Sequence, residues 1–366
     1  MGPDPPAVPG IDPLLEAGFL RPLLAQLRTW QVEAQAGTRR LPLIALNGPV
    51  GVGKSTLGRQ LEALAPRFGL RLCVASIDDL YLSWPERGER LAGNPFGVSR
   101  VPPGSHDLPL LLDALAQWRD RGVLRLPRFD KTLAAGQGDR AGWRELRCDA
   151  LVLEGWLMGC RPLSGASLES VMEGTMEAAS SRNRDGAAEP PTAQPPGSGN
   201  GAPPLRPEEW QWLPRWNREL ESYLPLWQAC DGLWLLRPLH WGLPCRWRFQ
   251  AEARQRRSGG GWLPPADLAR LVRASLCSLP PELYQDPLSQ ELAPDGVWLA
   301  FGASDAIAAR PAGCQDTPAS DPGAALRADD RNSRPPTQAV AWLDGRRRCR
   351  SLWLQASLSP SSSATG

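Results

Sequence analysis

Apolar positions along the chain fall into two kinds of run. Short, nearly continuous runs at 41–46, 70–77, 150–153, 232–236 and 339–343 predict strands buried on both faces. Longer stretches repeat apolar residues at helical spacing. The first, 10–36, carries Leu14, Leu15, Phe19, Leu23, Leu24 and Leu27, and predicts an amphipathic N-terminal helix. Others lie at 54–68, 108–121, 208–229, 244–257 and 265–278, with a short extended piece at 123–129. Strands that alternate with helices and are apolar throughout predict an α/β architecture, a parallel sheet covered by helices on both faces. Such sheets bind ligands beyond the carboxyl ends of their strands. Gly48, Asp78 and Glu154 fall at those ends.

The pattern breaks down twice. Residues 164–207 are rich in Ser, Gly, Pro, Ala and Glu, and their few apolar side chains predict a disordered insertion. Residues 286–337 form a second low-complexity stretch, interrupted by GVWLAF at 296–301, and 356–366 reads as a loose tail. The remainder reads as one domain without internal repeats. A net charge of +2 gives no broad electrostatic reason to expect nucleic acid or a membrane surface as partner. No apolar run reaches membrane-spanning length, and MGPDPPAVPG has neither a signal-peptide core nor a basic transit composition, so a cytoplasmic address is expected. The eight cysteines are scattered without CxxC spacing, as expected of reduced, mostly buried thiols.

Composition singles out two residues. Of 41 basic side chains, only Lys54 and Lys131 are lysine. A compact ammonium and a planar guanidinium are not interchangeable where a point charge must sit among phosphate oxygens, which marks both positions. Lys54 closes a GxxxxGK[ST] segment made of Gly48, Pro49, Val50, Gly51, Val52, Gly53, Lys54 and Ser55, followed by Thr56, between a strand and a helix. Inward amides and a helix N-terminus there suit the phosphates of ATP. Lys54 suits the β- and γ-phosphates, and the Ser55 hydroxyl suits Mg²⁺.

Asp78 and Asp79 end the second strand. Adjacent residues of an extended chain point apart, so one works and the other supports; Asp78 is expected as the base, although a capping role fits an aspartate there equally well. Glu154 ends the strand LVLEG and is expected beside the magnesium. His106 precedes a helix in GSHDLP, where it reads either as part of a capping turn or as a substrate contact. Arg128, Lys131 and Arg140 form a basic loop that suits a small carboxylate or is simply solvated. Arg246, Arg254 and Arg257 share nearly one helical face, read either as solvated surface or as a lid that neutralises the transferring phosphoryl group. The RRRCR cluster at 346–350 is read as solvated surface, and most of the 16 tryptophans as packing.

The segments NGPVGVGKSTL, SIDDLYL, GNPFGVSRVPPGSHDLPLLLDAL, LRLPRFDKTLAAGQGDRA, LVLEGWLMGCRPL, LESYLPLWQACDGLWLL, WRFQAEARQRR and PELYQD together resemble the glycerate 3-kinase family of plants, fungi and cyanobacteria. That family is similar to uridine kinase and phosphoribulokinase in its P-loop core. The likeness spans roughly 10–163 and 208–286, and implies a kinase-type P-loop fold with an arginine-rich lid. It implies ATP- and Mg²⁺-dependent phosphorylation of D-glycerate to 3-phosphoglycerate, as in photorespiratory carbon recovery. By this resemblance Asp78 is the base and Glu154 the magnesium-associated carboxylate, with His106, Arg128, Lys131 and Arg140 near the acceptor. The rival readings are another small-molecule P-loop kinase, for uridine, pantothenate or a sugar phosphate, and an inactive ATP-binding regulator. A GTPase reading fails for want of an NKxD segment.

Overall fold

In the computed structural model the described residues are 11–173, 201–259, 261–290, 292–300 and 335–358. Five parallel strands form the centre of a seven-stranded sheet: β1 (Leu43–Asn47), β2 (Leu72–Ser76), β5 (Ala150–Gly155), β6 (Gly232–Pro238) and β8 (Thr337–Leu343). Across the sheet the order is β2-β5-β1-β6-β8-β9-β7. Here β9 (Cys349–Leu354) and β7 (Val297–Ala300) extend one edge antiparallel. A separate antiparallel hairpin joins β3 (Val123–Asp130) to β4 (Asp139–Arg147).

The continuous apolar runs are explained by two cores, one on each face. In β1, Leu43 and Ala45 point into one cluster while Ile44 and Leu46 point into the other. Leu233 and Leu235 against Trp234 and Leu236 repeat this in β6. A strand with no solvated face needs an apolar residue at every position, and burying each such side chain contributes about 1.5–3 kcal/mol. One face is covered by the N-terminal helix α1 (Arg21–Gln35), by α2 (Lys54–Leu64) and by α7 (Leu243–Arg257). The other is covered by α4 (Leu108–Arg121), α5 (Pro207–Glu219), α6 (Leu224–Ala229) and α8 (Pro265–Cys277).

Three expectations change. The single Trp-rich helix over 208–229 is interrupted by a 3₁₀ turn at Leu220–Tyr223, with Tyr223 fully buried. The insertion at 164–207 is helical at 165–173, and its far end is packed: Ala202 is buried and the Pro204 carbonyl accepts from Arg273. Residues 174–200, most of 301–337 and the tail beyond 358 lie outside the described residues, as does Cys314. GVWLAF supplies strand β7, since its Val297–Ala300 stretch pairs with β9. Among the described residues no helix is long and apolar enough to cross a membrane.

Candidate active site

Strand register assembles the site. Asn47 lies opposite Gly155, and Ser76 opposite Glu154, so β1, β5 and β2 end side by side. The loop after β1 leads into α2 through Gly51 (φ 77°) and Gly53 (φ 110°), conformations that disfavour a side chain. At Gly51 a Cβ would also stand 2.6 Å from the Arg248 backbone nitrogen, so the loop and α7 can meet only at a glycine. This loop borders an open cleft of about 1770 Å³ lined by residues 50–57, Asp78, Lys131, Glu154 and the cleft side of α7.

Lys54 Nζ donates to the Gly48 carbonyl at 2.8 Å and lies 3.8 Å from Glu154 Oε2. The Ser55 hydroxyl donates to Glu154 Oε1 at 3.1 Å. Burial pushes the Glu154 carboxyl above its ordinary value, an effect that Lys54 partly offsets. Asp78 lies in a short 3₁₀ turn, Ile77–Leu80, beyond β2; its Oδ1 accepts from Tyr81 Oη at 3.0 Å, and its Oδ2 is 3.9 Å from Lys131 Nζ. Burial alone would raise the Asp78 pKa. Lys131 and Lys54, with the Tyr81 hydrogen bond, outweigh it and hold the group below its ordinary value. Asp79 also lines the cleft, where it pairs with Arg144 at 2.8 Å.

The structure places several of the residues singled out from the sequence away from the cleft. His106 is buried and is absent from the cleft lining. It stacks on Tyr81 (centroids 4.6 Å apart) and its Nδ1 lies 2.7 Å from Tyr223 Oη. Tyr223 Oη also accepts the Gly104 amide, and the other imidazole nitrogen, Nε2, is buried without a partner among the described residues. Burial lowers the His106 pKa to about 4. Arg128 is exposed outside the cleft, because the irregularity between Pro127 and Phe129 turns Phe129 inward onto Tyr81. Arg140 is committed elsewhere, donating to the Tyr81 carbonyl at 2.9 Å and to Asp107 at 2.7 Å, and so ties the hairpin to the start of α4. On α7, Arg254 lines the cleft but Arg246 and Arg257 do not. Trp247 and Pro244 are buried and set the helix rotation, which brings Arg248 to the cleft instead.

Six cleft-lining arginines escaped the sequence reading: Arg100, Arg248, Arg346, Arg347, Arg348 and Arg350. Arg248 belongs to the run already noticed, and its signal was the buried tryptophan next to it. Arg347, in the cluster read as solvated, donates from Nε to the Gly51 carbonyl at 2.9 Å and from Nη2 to the Trp247 carbonyl at 3.0 Å. Arg100 lines the cleft although it is only 5% exposed. Of the tryptophans, Trp216, Trp227 and Trp247 are core, whereas Trp262 is exposed at the cleft with Arg256 over its ring.

No family model matches the chain. The chloroplastic D-glycerate 3-kinase of Arabidopsis thaliana is 26% identical over 230 residues, 59% of this chain and 42% of that protein. An uncharacterized kinase of Schizosaccharomyces pombe is 28% identical over 224 residues, 57% of this chain and 69% of that protein. The match therefore spans less than half the length of the Arabidopsis relative. Among solved structures, the D-glycerate 3-kinase of Cryptococcus neoformans var. grubii superposes over 90% of this chain and 97% of its own, with a TM-score of 0.60 and 21% identity, which shows a common fold.

Proposed function

We propose that this chain, a homologue of the D-glycerate 3-kinases built on the P-loop kinase fold, transfers the γ-phosphoryl group of ATP to a hydroxyl of D-glycerate, giving 3-phosphoglycerate. One observation carries the reading. At neighbouring strand ends two carboxylates each stand beside one of the chain's two lysines, Glu154 with Lys54 and Asp78 with Lys131. The first pair sits against the phosphate loop and the second faces the open cleft.

In this reading the inward amides of 51–56 and the start of α2 receive the phosphates, with Lys54 as a point charge between the β- and γ-groups. The Ser55 hydroxyl and the Glu154 carboxylate are hard oxygen donors within hydrogen-bond distance of each other, a pair that fits Mg²⁺. Among the described residues no cluster of three His, Cys, Asp or Glu could hold a metal alone, in keeping with a cation that arrives on the nucleotide. Bound there, it would neutralise charge on the phosphate oxygens. Asp78 takes the proton of the attacking hydroxyl. Tyr81 occupies its Oδ1, leaving Oδ2 toward the cleft, and the depressed pKa keeps the group ionised. Asp79 is unsuited to the task because Arg144 engages it. Arg248 and Arg254 bring positive charge from α7 to the transferring group.

The test is Asp78→Asn. Turnover is expected to fall about 10²- to 10⁴-fold while the Kd for ATP stays within about twofold. Near-normal turnover would remove Asp78 from the role of base.

A further inference from the structure

The acceptor side of the cleft holds more cation than the protein pairs. Arg144 takes Asp79 and Arg248 takes Glu252, which leaves Asp78 to face Lys131. Arg100 stands in the same wall without a carboxylate partner among the described residues. Its Nη1 donates to the Gly136 carbonyl at 2.9 Å and also to the Gln137 carbonyl. Its Nε and Nη2 make no hydrogen bond to any described residue. Neither is among the sealed, partnerless nitrogens of the interior, such as Arg144 Nε and Arg237 Nε, and the residue itself lines the cleft.

The setting of this side chain is rigid. Val101, the next residue, has φ 93°, which is unusual for any side chain and more so for a β-branched one. The loop that accepts from Arg100 contains Ala134 and Ala135 at φ 48° and 54°. Arg87, fully buried, holds that loop from the opposite side by donating to the Gln137 and Gly138 carbonyls at 3.3 and 2.5 Å. Strained backbone on both sides of one held side chain is what a preorganised binding group requires. The segment after α7 also approaches this loop, since a Cβ on Gly136 would lie 3.7 Å from Leu263 and one on Gly261 3.4 Å from Thr132.

A guanidinium pinned through Nη1 presents its Nε–Nη2 edge, the edge that meets a carboxylate with two parallel hydrogen bonds. We infer that this edge of Arg100 receives the carboxylate of the acceptor, with Asp78 and Lys131 at the hydroxyl to be phosphorylated, so that the cleft selects small hydroxy acids over neutral polyols. The inference rests on the kinase reading above and deepens it.

Steady-state kinetics of the full chain, with D-glycerate or glycerol as acceptor and with ATP varied, tests it. Arg100→Met is expected to raise the KM for D-glycerate about 10- to 100-fold while leaving the KM for ATP and the slow glycerol rate unchanged. Arg100→Lys, which keeps the charge but not the fork, is expected to fall between. Wild-type turnover of D-glycerate with its KM unchanged in Arg100→Met overturns the anchor and leaves the kinase reading intact. Wild-type turnover of a different hydroxy acid, with that acid's KM raised by Arg100→Met, supports the anchor and removes D-glycerate from the kinase reading. A wild-type preference for neutral acceptors overturns both. If Arg100→Met does not fold, an unchanged D-glycerate KM in Arg100→Lys is sufficient to overturn the anchor.

Discussion

Lys54 and Lys131 illustrate how a single side chain declares a role. Arginine is used at every other basic position, and the two ammonium groups that remain both border the same cleft beside a carboxylate. Lys54 reaches the Gly48 carbonyl at 2.8 Å with a Nζ that a planar guanidinium cannot imitate. Lys54→Arg should therefore lower turnover by at least about 100-fold despite retaining its charge; wild-type rates would undo the point-charge argument. His106 shows the limit of residue-level reading. Nothing in GSHDLP says that its ring is sealed between Tyr81 and Tyr223, because those partners come from other parts of the chain. Its burial has a measurable consequence. Between the ordinary value of 6.5 and the folded value of about 4, the unfolded chain binds a proton that the folded chain refuses. Stability from this source is complete above 6.5 and is lost as the pH falls toward 4, amounting to about 3 kcal/mol at most. Thermal melts should show wild type losing more Tm than His106→Gln between pH 7 and 5. Equal losses would show that His106 is not buried in its neutral form.

At the scale of elements, what was legible follows from burial on two faces. β1, β5 and β6 announce themselves because every position is buried and nearly all are apolar, and their ends therefore located Gly48 and Glu154. β4 was not legible: its sequence DRAGWRELR buries no residue, and it is a strand only because β3 pairs with it. The rotation of α7 was also hidden. Spacing put Arg246, Arg254 and Arg257 together, but the burial of Trp247 decides which face meets the phosphate loop. The turn between β8 and β9 read as solvated because four of its five residues, Asp344, Arg346, Arg347 and Arg348, are charged, yet Arg347 (φ 61°) ties that turn to both the phosphate loop and α7. Arg347→Ala removes two hydrogen bonds and the contact of the guanidinium with the Trp247 ring. The KM for ATP is expected to rise about tenfold with the KM for the acceptor little changed. An equal rise in both would assign Arg347 to general stability rather than to the phosphate loop.

Across the whole molecule, an interior sheet with cores on both faces holds three strand ends in register, and the cleft lies beyond them. Around that cleft the chain brings together segments far apart in sequence: the loop after β1, the turn after β2, the end of β5, the cleft side of α7 and the β8–β9 turn. The proposed division of labour between Glu154 on the nucleotide side and Asp78 on the acceptor side rests on this convergence, as does the surplus of cation at Arg100 and Lys131. An acceptor that carries its own negative charge is what such a cleft lacks. The most direct measurement is ATP consumption by the purified protein with Mg²⁺ and D-glycerate, L-glycerate, uridine, pantothenate or ribulose 5-phosphate, with the phosphorylated position read by phosphorus NMR. The prediction is a strong signal with D-glycerate alone and product phosphorylated at the 3-hydroxyl. Turnover of uridine, pantothenate or ribulose 5-phosphate with none of D-glycerate, or ATP binding without transfer to any acceptor, would contradict it.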